Sequence, residues 1–181
     1  TYNGVEADEY VIGLVQYRTS FSSSLPDTLV RGYVQIETPA NASFSQHIAL
    51  TNANLDSNIA PTPVLINGVQ AYGVTPPQWL GPTLVASRDK PVRIVFYNLL
   101  PTGSDGDLFL PTDSTLMGSG MGPMDMPMPM DEGTVMDGVR NPLCSEYPKD
   151  AMNCFADNRA TLHLHGGTTP WISDGTAHQW I

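Results

Sequence analysis

The sequence has few cations, few histidines and no long apolar run. Lysine and arginine together number 8 against 18 acidic residues, so the formal net charge is −10 at pH 7 over 181 residues. No basic cluster is visible, and because phosphate binding depends on grouped lysine and arginine, we expect no nucleic acid partner. No apolar run approaches the roughly 18 residues that a membrane-spanning helix needs, so we expect no transmembrane segment.

Features of secretion are sparse but consistent. The residues from Thr1 onward carry neither a basic region nor an apolar leader, so we expect any secretion signal to have been removed or to lie outside this sequence. The only two cysteines, Cys144 and Cys154, are placed for a local disulfide, which an oxidising compartment would favour. The alternative is two buried free thiols. Asn41-Ala42-Ser43 fits the N-glycosylation acceptor pattern. We expect an extracellular, periplasmic or cell-surface location.

Short strands separated by turn signals dominate the pattern. Sixteen glycines and sixteen prolines punctuate the chain, and residues 29–37 alternate apolar and polar side chains, as a half-buried strand does. Asn67-Gly68 predicts a tight turn. The pattern predicts an all-β antiparallel sandwich over residues 38–181, preceded by an N-terminal arm or hairpin over residues 1–37. The predicted strands are Tyr10 to Tyr17, Leu29 to Glu37, Phe44 to Leu50, Val64 to Ile66, Thr83 to Ala86, Val92 to Asn98 and Ala160 to His165.

Three of the four histidines lie in residues 161–181. His163 and His165 are separated by one residue, and alternate side chains of a strand share a face and lie roughly 6.5–7 Å apart. That distance is too long to hold one small ion comfortably but suits two ions of one cluster, and imidazole suits copper and zinc. The alternative is a structural pair or a small zinc site. We expect His47 to be structural. We expect His178 either to be solvated or to contact the metal ligands without binding the metal.

Two segments together resemble the first domain of multicopper oxidases, especially the laccase-like enzymes related to bacterial spore-coat laccase and bilirubin oxidase. The first copper-binding motif of that family is similar to His163-Leu164-His165-Gly166-Gly167, followed by Pro170-Trp171 and Ser173-Asp174-Gly175. Two strands that precede the histidines in the family are similar to Gly81-Pro82-Thr83-Leu84-Val85 and to residues 91–101. The order of these segments is the order in the family.

The resemblance implies a cupredoxin-like Greek-key β-sandwich and a copper site. In that family, histidine pairs from two cupredoxin domains surround three coppers that reduce dioxygen to water, and a type 1 copper in the last domain takes electrons from substrate. By resemblance, His163 binds the type 2 copper and His165 one of the type 3 pair. Asp174 matches an acidic residue that delivers protons to reduced oxygen without binding copper. Alternatively, Asp174 only begins the turn Asp174-Gly175.

The chain departs from the family in the number of its ligands. Four histidines cannot supply the whole set, and both cysteines precede His163, whereas the family's type 1 cysteine lies between histidines of the last motif. We therefore expect a first-domain portion that is inactive alone, with later domains absent from this chain. The remaining cupredoxin domains would come from the same polypeptide or from a separate chain. The other partners would be dioxygen and a phenolic, bilirubin-like or metal-ion donor.

A methionine-rich segment, residues 102–137, interrupts the step from the strand at 92–98 to the histidines. Thioether sulfur is a soft ligand that selects Cu(I). Some copper-handling members of the family carry such inserts, so the resemblance implies an auxiliary cuprous site. The alternative is an extended surface loop in which methionine fills irregular contacts. The candidate ligands are Met124, Met126, Met128 and Met130.

Two classes of function stay open at this point. The first is a copper-dependent oxidase that takes single electrons from a donor and passes four to dioxygen. The second is a non-catalytic copper-binding or structural extracellular β-domain. Continuation of the same polypeptide into further His-x-His and His-Cys-His motifs would favour the enzyme.

The Asp174→Asn variant tests the proton role in the assembled enzyme. Asparagine keeps the size and turn preference of aspartate but loses its acid-base chemistry. We expect folding and copper content to be nearly intact and reoxidation by dioxygen to be slower, with a deficit that grows as pH rises. Stopped-flow reoxidation across pH measures this. Parental rates for Asp174→Asn, with loss of stability or copper in Asp174→Ala, would assign the residue to the turn instead.

Overall fold

The computed structural model describes residues 4–110, 157, 158, 160 and 162–169. Its contacts divide the chain into residues 1–105 and 106–181, and each unit is described by itself. The predicted site residues Asp174, Met124, Met126, Met128 and Met130 lie outside the described residues, as do Cys144, Cys154 and His178.

Strands account for nearly all regular structure in the described ranges. The described residues contain no α-helix, and none of their short helical turns is long and apolar enough to cross a membrane. The prediction of an all-β protein is therefore confirmed. Two 3-10 turns accompany the strands, at Ala42–Phe44 and Gly103–Gly106. The strands are β1 Asp8–Thr19, β2 Thr28–Gln35, β3 Ile48–Ala49, β4 Thr51–Asn52, β5 Thr62–Pro63, β6 Leu65–Ile66, β7 Val69–Gln70, β8 Tyr72–Gly73 and β9 Val92–Asn98.

The main sheet has three strands in the order β2-β1-β9. β1 pairs antiparallel with β2, from Ile12 opposite Gln35 to Thr19 opposite Thr28. On its other edge β1 pairs in parallel with β9. β1 and β2 thus form a hairpin, and β1 also pairs with β9. The domain boundary between residues 37 and 38 stays a prediction.

The centre of β1 is buried because it has neighbours on both edges and both faces. A Cβ atom on Gly13 would lie 2.8 Å from the terminal Cδ1 atoms of both Ile36 and Leu99, so a larger residue here would require these two side chains to shift. The hydrophobic core lies beside this strand. It joins two residues of the sheet, Val15 and Val34, to one residue just after β2 and to three residues that lie between the short strands: Ile36, Leu50, Val64 and Ala71.

The short strands form three antiparallel pairs, β3 with β8, β4 with β5, and β6 with β7. Asn67 and Gly68 connect β6 to β7 with φ angles of 52° and 80°, and left-handed values at both central residues define a type I′ turn. The predicted tight turn is confirmed. The strand predicted over Phe44 to Leu50 is much shorter, since only Ile48–Ala49 is β3. His47, at φ 54°, interrupts the extended backbone just before it.

Two other predicted strands are wrong where the structure describes them. Residues 83–86 are exposed coil. Here the Val85 carbonyl accepts a hydrogen bond from the Tyr10 hydroxyl at 2.9 Å instead of from a ladder amide. Residues 160 and 162–164 are not strand either, and a turn follows at 165–166. Alternation leads to a strand only when a neighbouring strand pairs with it, and the sheets of the described residues do not include this segment.

A side-chain amide is inserted into the main sheet where β9 ends. Leu99 N–H donates to the Leu14 carbonyl at 3.0 Å, so the next bond of a parallel ladder would run from Gln16 N–H to the Leu99 carbonyl. Instead, Gln16 N–H donates to Asn52 Oδ1 at 2.8 Å, and Asn52 Nδ2 donates to the Leu99 carbonyl at 2.7 Å. The Asn52 amide therefore satisfies both backbone groups.

Asn41, the residue of the glycosylation pattern, is buried and hydrogen-bonded. Its side chain is 7% exposed. Its Oδ1 accepts from Thr38 N–H at 2.7 Å, and its Nδ2 donates to the Ile36 carbonyl at 3.1 Å. Because a glycan would be attached at Nδ2, the folded chain does not present this nitrogen for modification.

The inserted amide gives a stability prediction. Asn52→Ala leaves the Gln16 N–H and the Leu99 carbonyl without a partner, and each unsatisfied group costs about 1–3 kcal/mol. We expect the full chain to lose about 2–6 kcal/mol of unfolding free energy in urea titrations, the sum for the two groups. The matched control is Asn58→Ala, because Asn58 is exposed and such changes stay within about 0.5 kcal/mol. Equal losses for both variants would contradict the inserted-amide interpretation.

Candidate metal centre

The predicted copper ligands lie in the described segment 162–169. The ring centroids of His163 and His165 are 5.9 Å apart and their planes are inclined by 38°. Both residues are exposed, and the neighbouring Leu162 and Leu164 are 45% and 65% exposed. The structure therefore brings the two imidazoles together on a solvent-facing segment, although that segment is not the strand that the alternation predicted.

A glycine turn follows the pair directly. Gly166 has φ 77°, a left-handed value that favours glycine, and turns the chain immediately after His165. At Gly167, a Cβ atom would lie 2.6 Å from a side-chain carbon of Leu164, so the missing side chain gives Leu164 room to fold back. The His-Leu-His-Gly-Gly sequence thus positions the second imidazole at the start of a tight turn.

The donor chemistry of the pair fits copper or zinc, but the pair alone is not a full ligand set. Metal–nitrogen distances are about 2 Å, so rings with this spacing can contact one ion from two sides or two neighbouring ions. Among the described residues, no group of three or more His, Cys, Asp or Glu side chains is placed to hold a metal. The carboxylate of Asp157 accepts a hydrogen bond from Leu108 N–H at 3.0 Å.

His47, the one histidine outside residues 161–181, contacts several side chains of the first unit. His47 Nδ1 lies 3.0 and 3.1 Å from the two carboxylate oxygens of Glu37. The His47 ring stacks on Tyr72, with centroids 3.9 Å apart and an interplanar angle of 11°. His47 N–H also donates to Ser45 Oγ at 3.0 Å, which holds the left-handed backbone at this residue.

Sequence reasoning predicted a structural role for His47 but missed its partners. Glu37 is placed beside Tyr72 by backbone pairing, because Glu37 N–H donates to the Tyr72 carbonyl at 2.8 Å. The pairing of β3 with β8 then sets Ala49 opposite Tyr72 and brings His47 to the same place. No local spacing signals this arrangement, since it depends on a strand that lies far along the chain.

The Glu37 carboxyl has a pKa below its ordinary value of 4.5. The largest cause is a hydrogen bond from the Ser45 hydroxyl, followed by burial, which opposes the shift, and by the hydrogen bond and charge of His47. A carboxyl with a lowered pKa in the folded state stabilises the fold above its unfolded-state pKa. This contribution is lost as pH falls through the folded-state value.

Comparison with known proteins yields no relative from which a family could be assigned. No family model, no curated protein and no solved structure matches the chain. The described residues therefore define the class only as an all-β protein, with an exposed histidine pair in one unit and a carboxylate-bound histidine in the other.

The groups that lower the Glu37 pKa give a prediction for pH titration. We expect the Glu37 pKa, measured by carboxyl ¹³C NMR, to lie below its ordinary value and to rise in both Ser45→Ala and His47→Gln, because each variant removes an interaction that lowers it. In Glu37→Gln, the stability deficit relative to the parent should shrink as pH falls below about 4.5, because the carboxyl of the parent is then protonated first in the unfolded chain and at lower pH in the folded chain. An unchanged Glu37 pKa in both variants would contradict these causes.

Proposed function

We propose that this chain is the first-domain portion of a laccase-like multicopper oxidase, with His163 a ligand of the type 2 copper and His165 a ligand of one type 3 copper. The observation that carries the proposal is the exposed imidazole pair, 5.9 Å apart, within a His-Leu-His-Gly-Gly motif that resembles the family's first copper-binding motif. The all-β architecture supports a cupredoxin-like Greek-key domain as the finer fold.

The incomplete ligand set supports a divided site. Two exposed imidazoles can each donate one lone pair, and a trinuclear cluster needs many more donors than the described residues bring together. The remaining ligands and the type 1 copper would belong to later cupredoxin domains, in the same polypeptide or in a separate chain. An oxidase assembled in this way joins the one-electron oxidation of a phenolic, bilirubin-like or metal-ion donor to the reduction of dioxygen to water.

Each residue has a defined task in this proposal. Copper, when bound, supplies the one-electron redox chemistry. His163 and His165 bind it through neutral ring nitrogens, and the turn at Gly166 orients the second ring. The Asp174 carboxylate holds and passes protons toward reduced oxygen, and Met124, Met126, Met128 and Met130 offer sulfur to Cu(I). A Cys144–Cys154 bridge and an extracellular, periplasmic or cell-surface location belong to the same proposal.

Copper titration of the purified chain tests the ligand assignment. We expect the chain to bind Cu²⁺ at the histidine pair, with nitrogen hyperfine structure in the EPR spectrum and no reduction of dioxygen with a phenolic donor. His163→Ala and His165→Ala should each weaken binding at this site by roughly tenfold or more, which corresponds to about 1.4 kcal/mol or more of binding free energy.

The matched control is His47→Gln, which removes an exposed histidine of the other unit and should leave the affinity of the pair unchanged. Parental copper affinity in the His163→Ala/His165→Ala double variant would refute the ligand assignment. Four-electron reduction of dioxygen by the chain alone would refute the divided ligand set. Binding by the pair, with no activity gained on adding the later domains, would favour a non-catalytic copper-binding domain.

A further inference from the structure

His47 is exposed, yet its ring is held on two sides. The side chain is 62% exposed, whereas Glu37 is 17% exposed. Tyr72 covers one face of the ring, and the Glu37 carboxylate covers its Nδ1 edge. The exposed surface is therefore the other face and the edge that carries Nε2. Exposed side chains are normally free to change rotamer, so this degree of constraint is unusual.

The carboxylate also determines which ring nitrogen carries the proton. A carboxylate has no hydrogen to donate, so the contacts of 3.0 and 3.1 Å require a proton on Nδ1 of His47. In the neutral ring, Nε2 then has a free lone pair. A carboxylate that accepts from the second ring nitrogen is the usual partner of a metal-binding histidine, because it fixes the tautomer and raises the basicity of the ligand nitrogen.

The backbone of His47 is held as firmly as its ring. Its φ of 54° lies in the left-handed region, which a residue with a side chain occupies at a cost unless surrounding contacts maintain it. The hydrogen bond from its N–H to Ser45 Oγ supplies such a contact. The position of Nε2 is therefore determined before any ligand arrives.

We propose that His47 is a surface binding residue for a divalent transition-metal ion, coordinated through Nε2, with Glu37 and Tyr72 as its positioning residues. Imidazole prefers first-row transition metals, and among the divalent ions Cu²⁺ binds most tightly. The adjacent carboxylate and the net charge of −10 favour a cation at this surface. This proposal does not depend on the role proposed for His163 and His165.

The described surroundings favour metal binding over acid-base catalysis. The ring edge opens to solvent, so no buried substrate would be held against Nε2. Ser45 Oγ contacts the backbone N–H of His47, so this hydroxyl is not arranged as a nucleophile on Nε2. The described residues bring no third His, Cys, Asp or Glu side chain to this place.

The test uses the full chain with His163→Ala and His165→Ala, so that a failure here is distinct from a failure of the histidine-pair proposal. We expect substoichiometric Cu²⁺ to broaden the NMR signals of the His47 and Tyr72 rings before those of His178. Zn²⁺ alone should shift the ¹⁵N resonance of His47 Nε2 more than that of Nδ1. His47→Gln should abolish the broadening of Tyr72.

Two changes at Glu37 separate a binding role for His47 from a structural one. Glu37→Gln should raise the Cu²⁺ dissociation constant roughly tenfold, the effect typical of removing a carboxylate behind a ligand histidine. Glu37→Asp, which keeps the charge but shortens the side chain, should fall between Glu37→Gln and the parent. Asn58→Ala changes an exposed residue outside these contacts and is the control that should leave the Cu²⁺ dissociation constant unchanged.

Three results would overturn the proposal. The first is equal Cu²⁺ affinity in Glu37→Gln and in the parent background, with both folded by circular dichroism. The second is a Zn²⁺ shift confined to Nδ1, since this would mean that the metal displaces the carboxylate. The third is broadening at His178 that precedes broadening at His47, since His47 would then be no better a ligand than another histidine.

Discussion

The Asn52 amide completes the hydrogen bonding of the central strand, and the first unit depends on it. β1 is buried along its middle and needs a partner for every backbone group, yet β9 accompanies it only as far as Leu14. Beyond that point the Asn52 side chain bridges the two strands, and Ala53 N–H donates to the Gln16 carbonyl at 2.7 Å. The segment that carries Asn52 thus replaces β9, and both β4 and the core residue Leu50 are held against the sheet.

This arrangement also determines where His47, Glu37 and Tyr72 come together, and these three residues are here called the His47 cluster. With Leu50 held in the core, its N–H donates to the Ala71 carbonyl. β3, just before Leu50, then pairs with β8, just after Ala71. Gly73 of β8 forms a β-bridge with Ile36, the residue that follows β2. This bridge brings the next residue, Glu37, beside Tyr72. The contacts of the exposed His47 cluster therefore depend on buried backbone pairing between segments that are distant in the sequence.

Local sequence patterns predicted the strands and the turn whose conformation depends mainly on their own residues. β2 and β9 carry alternating or β-branched residues and find partners, and the turn at Asn67-Gly68 needs only its own two residues. Residues 83–86 and 160–165 show similar patterns, but strand formation depends on a neighbouring chain that sequence spacing does not reveal. The proximity of His163 and His165 was predictable because one residue separates them. The His47–Glu37 contact was not, because it is made through β8.

The parallel pairing of β1 with β9 has a consequence for the order of folding. Asp8 is opposite Val92, so the two strands are separated by 84 positions, the difference between these numbers. The β1–β2 hairpin is local and can close within about 1–10 μs, whereas the third strand joins only after a large loop has closed, which slows folding. During synthesis the exposed edge of the hairpin therefore waits for β9 to leave the ribosome, and this interval is when the nascent chain is most open to aggregation and to chaperones.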